Sequence, residues 1–341
     1  MLQKALKNVL IIAELSANHN QKFDIAVETI HAAKDAGADA IKIQTYTPDT
    51  ITIDCDNEYF IIKQGTIWDG RTLYQLYKEA FTPWEWQPKL KKIAEDLGLF
   101  FFSSPFDKSA VDFLEKMDIP AYKIASFEIT DIPLIEYVAT TKKPIIISTG
   151  VATLSDIELA VNACRRMGNN KIALLKCTSS YPANVEDANL LTIPHLRDTF
   201  NLISGLSDHT IGDAVAIASV ALGARIIEKH FILDRNIGGP DSSFSMEPHE
   251  WKKMVDSIRN VELALGKINY ELTTKVLASR EHTRSLFVVE NVLAGEILTE
   301  DNIKSIRPGF GLQPKYYSNV LGKKFRKSIK KGTPLEWEMF E

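Results

Sequence analysis

Two histidines of this chain, His209 and His230, follow short apolar runs and could act as metal ligands. The first stands in GLSDHT and the second in EKHF, and a helix-like segment rich in Ala and Val separates them. This order predicts a strand, a helix and a strand, with both imidazoles near the carboxyl ends of strands, where parallel α/β folds bind ligands. Either histidine alone could cap a strand or bond to a backbone carbonyl. Two at equivalent places on successive strands instead predict a pair of ligands for a divalent metal.

Charged and hydroxyl side chains end most of the other predicted strands. They are Glu14, Lys42, Gln44, Ser103, Ser104, Lys123, Ser126, Glu128, Ser148, Thr149 and residues 178–181, with Ser207 close to His209. Burying unpaired charge is costly, so an inert scaffold would have no reason to direct two lysines and two carboxylates at one rim. Lys42 and Lys123 among serine hydroxyls therefore predict a site for a phosphate or a carboxylate. A structural ion pair between Lys123 and Glu128 is the competing interpretation.

The elements that would position these side chains are eight apolar, β-branched runs, which alternate with segments of helical periodicity. The runs are 9–15, 40–45, 99–104, 121–126, 144–149, 172–178, 201–207 and 225–230. Near-continuous hydrophobic strands such as IIIS at 145–148 suit a parallel sheet that is buried on both faces. Eight strand–helix units within about 260 residues predict a TIM (β/α)8 barrel. A doubly wound open sheet is the alternative, but no GxGxxG follows the first strand.

Three further regions complete the predicted organisation. Residues 46–86 form a long excursion between the second and third strands, which we expect to build part of a substrate pocket. Its tryptophans, Trp68, Trp84 and Trp86, could equally pack the excursion against the barrel. The barrel domain is expected to cover residues 1–266, a polar linker 267–282, and a small, mostly β domain 283–341.

The composition excludes several classes of protein. The chain has 341 residues and a net charge of −4, which argues against a nucleic-acid-binding protein overall. A basic run at 323–331 is expected to be a solvated face rather than a nucleic-acid site. The N-terminus has only a short apolar run before Glu14, so we expect neither a signal peptide nor a membrane span, and a cytoplasmic location. Three cysteines without a CxxC spacing predict reduced thiols.

Nine motifs, in order, resemble the sialic acid synthase family along essentially the whole chain. They are AELSANHNQ, IKIQTYTPDT, FFSSPFD, YKIASFEI, ISTG, KCTSSYP, GLSDHT, IEKHF and RPGFG. The resemblance implies a TIM barrel followed by an antifreeze-like (SAF) domain. It also implies an enzyme that condenses phosphoenolpyruvate with an N-acylated amino sugar, and a domain-swapped homodimer in which Arg307 enters the barrel of the other subunit.

Carried over position by position, the resemblance implies a role for each converging residue. His209 and His230 are the implied ligands of Mn²⁺, with Mg²⁺ or Co²⁺ as alternatives. The positions that match phosphoenolpyruvate-binding residues are Lys42, Ser104, Lys123, Ser126, Ser148, Ser179 and Ser207. The positions that match sugar contacts are Glu14, Gln44, Tyr181, Asp241 and Arg307. Glu128 is the candidate base for a water molecule, and Glu14 the candidate for proton transfer at the sugar.

The excursion is expected to select the sugar, since apolar walls favour a methyl group where a hydroxymethyl group would need polar partners. On this ground, and as the resemblance implies, we expect 2,4-diacetamido-2,4,6-trideoxy-L-altrose as the acceptor. N-acetylmannosamine or another diacetamido trideoxy hexose is the alternative. A non-catalytic sugar-binding protein is the alternative from another class, but it leaves the two histidines and the rim lysines unexplained.

Overall fold

The computed structural model of the chain describes residues 1–63, 65 and 67–341. They fall into two compact units, Met1–Gly266 and Lys267–Glu341. In this part of the chain, none of the helices has the length and the apolar character that a membrane span requires.

Eight parallel strands of the first unit close into a barrel in chain order. They are β1 (Leu10–Glu14), β2 (Ala40–Thr45), β3 (Phe100–Pro105), β4 (Tyr122–Ile124), β5 (Ile145–Ser148), β6 (Ile172–Cys177), β7 (Ile203–Asp208) and β8 (Ile226–His230). The pairing of β8 with β1, which sets His230 beside Glu14, closes the sheet. The predicted barrel is confirmed and the open sheet was the wrong alternative. The fourth strand is shorter than predicted because the chain turns into a 3₁₀ segment at Ser126–Thr130.

Helices precede, connect and follow the strands of the barrel. They are α1 (Leu2–Lys7), α2 (Phe23–Asp35), α3 (Pro48–Ile51), α4 (Leu73–Ala80), α5 (Gln87–Asp96), α6 (Lys108–Lys116), α7 (Ile132–Thr140), α8 (Leu154–Arg166), α9 (Thr192–Phe200), α10 (Ala214–Ala221) and α11 (Pro248–Leu265). Their apolar stripes form the core between helices and strands. On α8, for example, Ile157, Val161 and Cys164 are buried at helical spacing, and Gly168, with φ +67°, follows the helix end.

The amino-terminal end of the barrel is filled by apolar side chains. Leu10, Phe102 and Ile146 from the strands form one cluster with Ala5 of α1. Arg225, which directly precedes β8, donates hydrogen bonds from its guanidinium to the carbonyls of Ala5 (2.8 Å) and Leu6 (2.9 Å). Helix α1 therefore closes the barrel at this end, and the polar strand ends lie at the opposite one.

The second unit has a small core of its own. Strands β9 (Ser285–Val288) and β10 (Ile303–Ile306) pair antiparallel, and helices α12 (Thr274–Ser279) and α13 (Tyr317–Val320) flank them in the sequence. Leu286, Val288, Ile303, Phe325 and Leu335 are among the buried residues of its core. The stretch 267–282, expected to be a linker, contains α12 and belongs to this unit.

Candidate active site at the carboxyl ends of the barrel strands

A cavity opens at the carboxyl ends of the strands. It is lined by Glu14, Lys42, Gln44, Lys123, Ala125, Ser126, Ser148, Cys177, Tyr181, Ser207, His209, Glu228 and His230. Side chains two positions apart on a strand point to the same face, so Glu228 and His230 both enter the barrel from β8. The structure thus brings most of the predicted site residues together.

Two lysines and two glutamates form a buried ionic cluster in this cavity. The Lys42 ammonium lies 2.9 Å from the Glu14 carboxylate and 3.2 Å from that of Glu228. The Lys123 ammonium lies 3.8 Å from Glu228. All four side chains are almost completely buried. Glu228 therefore sits between the two lysines.

Burial and these contacts move the pKa values of the carboxylates in opposite directions. Burial raises the pKa of Glu14 to about 7, because it outweighs the attraction of Lys42. Burial also acts to raise the pKa of Glu228, but the ammonium groups of Lys123 and Lys42 outweigh it and hold that pKa below its usual value. The free protein accordingly holds Glu228 ionised, while Glu14 can carry a proton near neutral pH, a division that suits acid–base chemistry.

The two lysines also differ from each other. Burial lowers the pKa of Lys123, and the attraction of Glu228 offsets this only in part. Burial opposes the charge of Lys42 as well, but Glu14 and Glu228 together raise its pKa. Lys42 therefore has its charge balanced within the protein, whereas Lys123 is the cation with the greater need for an anionic partner.

Serine hydroxyls surround the lysines, as the sequence predicted. Lys123 donates to Ser148 at 2.7 Å, and Lys42 donates to Ser104 at 3.4 Å. Ser207 donates to Glu228 at 3.4 Å, and Ser179 donates to Ser126 at 2.8 Å. Ser104 is buried beside Lys42 but does not line the cavity.

Gly150 leaves room for the hydroxyls on this side of the site. A Cβ atom at this position would lie 2.2 Å from the Ser179 hydroxyl and 2.7 Å from the Ser126 hydroxyl. A larger residue would displace both serines. The close approach explains the glycine that ends the ISTG motif.

The two histidines are neighbours, with ring centroids 5.4 Å apart. His209 Nδ1 lies 2.9 Å from the Thr178 carbonyl oxygen and donates to it, so the neutral form of this ring has its lone pair on Nε2. His230 Nδ1 is a buried atom without a hydrogen-bond partner among the described residues. Burial lowers the pKa of His230 well below its usual value, which keeps the ring neutral.

This arrangement fits a divalent metal held by two protein ligands. Neutral imidazole and an orphaned buried nitrogen are the donor chemistry that such an ion needs. In the described part of the chain, no group of three or more His, Cys, Asp or Glu side chains could hold a metal. The remaining coordination positions of an ion at this site would have to come from water or substrate.

The residues predicted to contact the sugar lie at the same end of the barrel. Gln44 donates to Glu14 and to Ser16, both at 3.1 Å. Asp241 is buried, and its carboxylate lies 3.7 Å from His230 Nδ1. The Tyr181 ring lies 4.5 Å from the His209 ring between centroids. Arg307, in contrast, is an exposed residue of the second unit.

Glu128 is in a different position from the one expected. The competing interpretation, an ion pair between Lys123 and Glu128, was wrong, because Lys123 contacts Ser148, the Ile124 carbonyl and Glu228 instead. Glu128 lies on the 3₁₀ segment after β4 and does not line the cavity, although one of its carboxylate oxygens is buried without a hydrogen bond to a described residue. Burial raises the pKa of Glu128 to about 7. Its function as a base stays a prediction.

Glu228 was missed by the sequence reasoning, which took His230 alone as the polar residue of the eighth strand. The spacing held a signal, since Glu228 precedes His230 by two positions and must share its face of β8. Cys177, another residue of the cavity lining, escaped notice because a single thiol carries no spacing pattern.

The predicted excursion packs mostly against the barrel. The Trp84 ring lies 4.8 Å from that of Phe113, and Trp86 contacts His19 and Phe23, both at 5.6 Å between ring centroids. Only the third tryptophan, Trp68, contacts a residue of the cavity lining, Tyr181, at 5.7 Å. Residues 64 and 66 of the excursion lie outside the described residues.

Known proteins resemble the chain over nearly its full length. Residues 29–270 match the NeuB family, and residues 283–341 match the SAF domain. The chain is 49% identical to the pseudaminic acid synthase of Helicobacter pylori, with 97% of each chain covered. It is also 49% identical to that of Campylobacter jejuni subsp. jejuni serotype O:2, over 98% of this chain and 97% of the relative. A solved structure, N-acetylneuraminic acid (sialic acid) synthetase from Leptospira borgpetersenii serovar Hardjo-bovis in complex with citrate, superimposes with a TM-score of 0.71 at 33% identity, covering 80% of this chain and 90% of that chain.

Proposed function

Since this chain belongs to the NeuB family, as its sialic acid synthase motifs implied, we propose that it condenses phosphoenolpyruvate with 2,4-diacetamido-2,4,6-trideoxy-L-altrose and water. The products are pseudaminic acid and phosphate, so the enzyme is a transferase of the pseudaminic acid synthase type. The observation that carries the chemistry is one cavity in which two buried lysines, two carboxylates and two histidines meet. The choice of acceptor is supported by the 49% identity to pseudaminic acid synthases.

Phosphoenolpyruvate binds at the lysine end of the cavity. Its phosphate and carboxylate are anions. The nearest carboxylate to Lys123 is 3.8 Å away, so this lysine gains more than Lys42 from an added anion. Ser148, Ser126 and Ser207 supply hydroxyl donors in the same lining. The lysines stabilise the negative charge that develops on the departing phosphate. We expect this to be the largest electrostatic contribution to the rate.

His209 and His230 would hold a divalent cation, Mn²⁺ by preference, with Mg²⁺ or Co²⁺ as alternatives. Bound there, the cation would supply Lewis-acid chemistry at the aldehyde oxygen of the open-chain sugar. The Thr178 carbonyl fixes the His209 ring for this task through the hydrogen bond to Nδ1.

The bond changes follow from the balance of the reaction. The methylene carbon of phosphoenolpyruvate attacks the aldehyde carbon of the sugar, which forms a C–C bond and leaves an oxocarbenium ion at the former enol carbon. Water adds to that carbon, and the resulting hemiketal phosphate loses phosphate by C–O cleavage. Glu128 deprotonates or orients the water, and Glu14, whose pKa is raised to about 7, gives a proton to the former aldehyde oxygen, which becomes a hydroxyl group. Gln44 and Asp241 position the acceptor.

The enzyme is proposed to act as a domain-swapped homodimer in the cytoplasm. The exposed Arg307 of the SAF domain then completes the acceptor site of the other subunit. The cytoplasmic location is supported by the proposed donor, because phosphoenolpyruvate is a metabolite of central carbon metabolism.

The test is the release of phosphate from phosphoenolpyruvate in the presence of Mn²⁺, with the diacetamido trideoxy altrose and N-acetylmannosamine assayed in parallel. Release with the first sugar alone is the expected result. Release with N-acetylmannosamine alone would keep the chemistry and transfer the specificity to N-acetylneuraminate. Sugar binding without any phosphate release would favour the non-catalytic sugar-binding alternative and overturn the proposal.

A further inference from the structure

Aromatic side chains border the cavity on one side. Tyr181, from the loop after β6, belongs to the cavity lining, and its ring lies 5.4 Å from that of the buried Phe244. Trp68, from the excursion, adds a third ring, 5.7 Å from Tyr181 between centroids. Most of the remaining lining is acidic, basic or hydroxylic. The aromatic border is therefore the part of the site that can bury an apolar group without leaving a polar one unpaired.

Trp68 is held in place by two loops of the barrel. Its indole nitrogen donates a hydrogen bond to the Pro240 carbonyl at 3.1 Å, directly before Asp241 in the sequence. Its ring contacts Tyr181 on the loop after β6. One side chain of the excursion thus joins the loops that carry Tyr181 and Asp241, the two residues through which we expect the barrel loops to contact the sugar.

The other two tryptophans of the excursion contact different parts of the barrel. Trp84 donates to the Tyr46 carbonyl at 3.1 Å and packs on Phe113, and Trp86 packs on His19 and Phe23. Neither ring contacts Tyr181, so the structure separates one tryptophan that packs on a residue of the cavity lining from two that anchor the excursion.

We infer that Trp68 is a specificity-determining residue, and that with Tyr181 it forms the apolar wall that receives the C6 methyl group of the acceptor. The inference rests on the proposed function and deepens it. A hydroxyl group at C6 that packs on the Trp68 ring would meet aromatic carbon and lose its hydrogen bonds to water, because the indole N–H is already used by Pro240. The cost falls on the acceptor alone, since phosphoenolpyruvate binds among the lysines and serines.

The test compares the diacetamido trideoxy altrose with its 6-hydroxy analogue, 2,4-diacetamido-2,4-dideoxy-L-altrose, in the wild type, in Trp68→Ala and in Trp84→Ala. The wild type should prefer the 6-deoxy sugar in kcat/KM by about ten-fold or more, and Trp68→Ala should reduce this preference to about two-fold or less. The KM for phosphoenolpyruvate should stay unchanged. Trp84→Ala, the same change in the same excursion, should keep the preference. A preference retained in Trp68→Ala would overturn the inference.

Trp68→Phe separates the apolar surface from the hydrogen bond and remains available if the alanine variant does not fold. It keeps an aromatic ring but cannot donate to Pro240. Retention of the 6-deoxy preference in this variant supports the apolar wall, whereas its loss would assign the preference to the hydrogen bond and overturn the inference. The proposed function fails separately, because it requires that the wild type release phosphate with the 6-deoxy sugar in the first place.

Discussion

At the scale of single residues, the two cavity lysines have the same charge but unequal surroundings. Lys42 has carboxylates at 2.9 and 3.2 Å, and Lys123 has one at 3.8 Å. A buried ion pair contributes little when it is complete, but the loss of one partner leaves an uncompensated charge in the interior. The same substitution at the two positions should therefore have different effects on the free protein.

Lys42→Met should lower the free energy of unfolding by about 3 kcal/mol, because it leaves Glu14 and Glu228 without their closest cation. Lys123→Met should change it by less than about 1 kcal/mol, because the variant removes the less well compensated charge. Urea unfolding without ligands at neutral pH measures both. Equal losses of stability would contradict the assigned difference, and both variants should lose phosphate release.

Glu128 gives a prediction about pH. Glu14, which must keep its proton to act as the acid, should set the descending limb of the kcat/KM profile near pH 7. Because burial also raises the pKa of Glu128 to about 7, the ascending limb should report the loss of the Glu128 proton, which lets this carboxylate act as a base. Glu128→Gln should lower turnover by about 100-fold and flatten this limb of the profile. Glu186→Gln, at an exposed glutamate, is the control. Near-normal turnover of Glu128→Gln with phosphoenolpyruvate binding retained would remove Glu128 from the mechanism.

The same pKa has a consequence for stability. The folded protein binds the Glu128 proton more tightly than the unfolded chain, in which the pKa is near 4.5. The contribution of this group to stability is therefore complete below pH 4.5 and is lost as the pH rises through about 7.

At the scale of elements, the outer faces of β7 and β8 fix the end of the barrel that carries His209 and His230. Lys229 donates to Asp208 at 2.7 Å, and both side chains are almost fully buried. Asp208 in turn accepts hydrogen bonds from the backbone nitrogen and the hydroxyl of Thr210, at 2.9 and 2.8 Å. His209 lies between these two residues, so the network fixes the backbone from which its ring enters the cavity.

Asp208→Asn should weaken Mn²⁺ binding by about ten-fold or more, because the backbone around His209 loses its ionic support. The shift of the unfolding temperature with added Mn²⁺ measures this. Asp213→Asn, which breaks the exposed pair with Lys253, is the matched control and should leave the shift unchanged. His209→Ala should abolish it. If a folded Asp208→Asn variant shows the same Mn²⁺-dependent shift of the unfolding temperature as the wild type, Asp208 does not position His209.

Elements were easier to predict than contacts between elements. The apolar runs predicted all eight barrel strands, since a strand that is buried on both faces needs such a run. The position of Glu228 between Lys42 and Lys123 depends on the register of three strands that are far apart in the sequence. Which tryptophan of the excursion meets the cavity depends on the path of an irregular segment. A local sequence pattern predicts neither the position of Glu228 nor the tryptophan that contacts the cavity lining.

At the scale of the whole molecule, the proposed dimer makes an active site from residues of two chains. His209→Ala and Arg307→Ala should each be nearly inactive alone. Mixed after dissociation and reassociation, they should recover activity, because half of the sites in a mixed dimer then combine an intact barrel with an intact Arg307. The assay is phosphate release against mixing ratio, with each variant mixed with itself as the control. No recovery despite subunit exchange would place Arg307 in the same chain as the barrel that it serves.

The closed amino-terminal end of the barrel sets the order in which substrates bind and products leave. Helix α1 and the apolar cluster around Ala5 block that end, so every molecule must pass through the opposite end, where the cavity opens. In the proposed arrangement, the sugar lies at this mouth and separates the lysines from solvent. Phosphoenolpyruvate must then enter before the sugar, and the nine-carbon product must depart before phosphate can follow. The single opening thus predicts ordered kinetics, in which the substrate that binds last gives the product that leaves first.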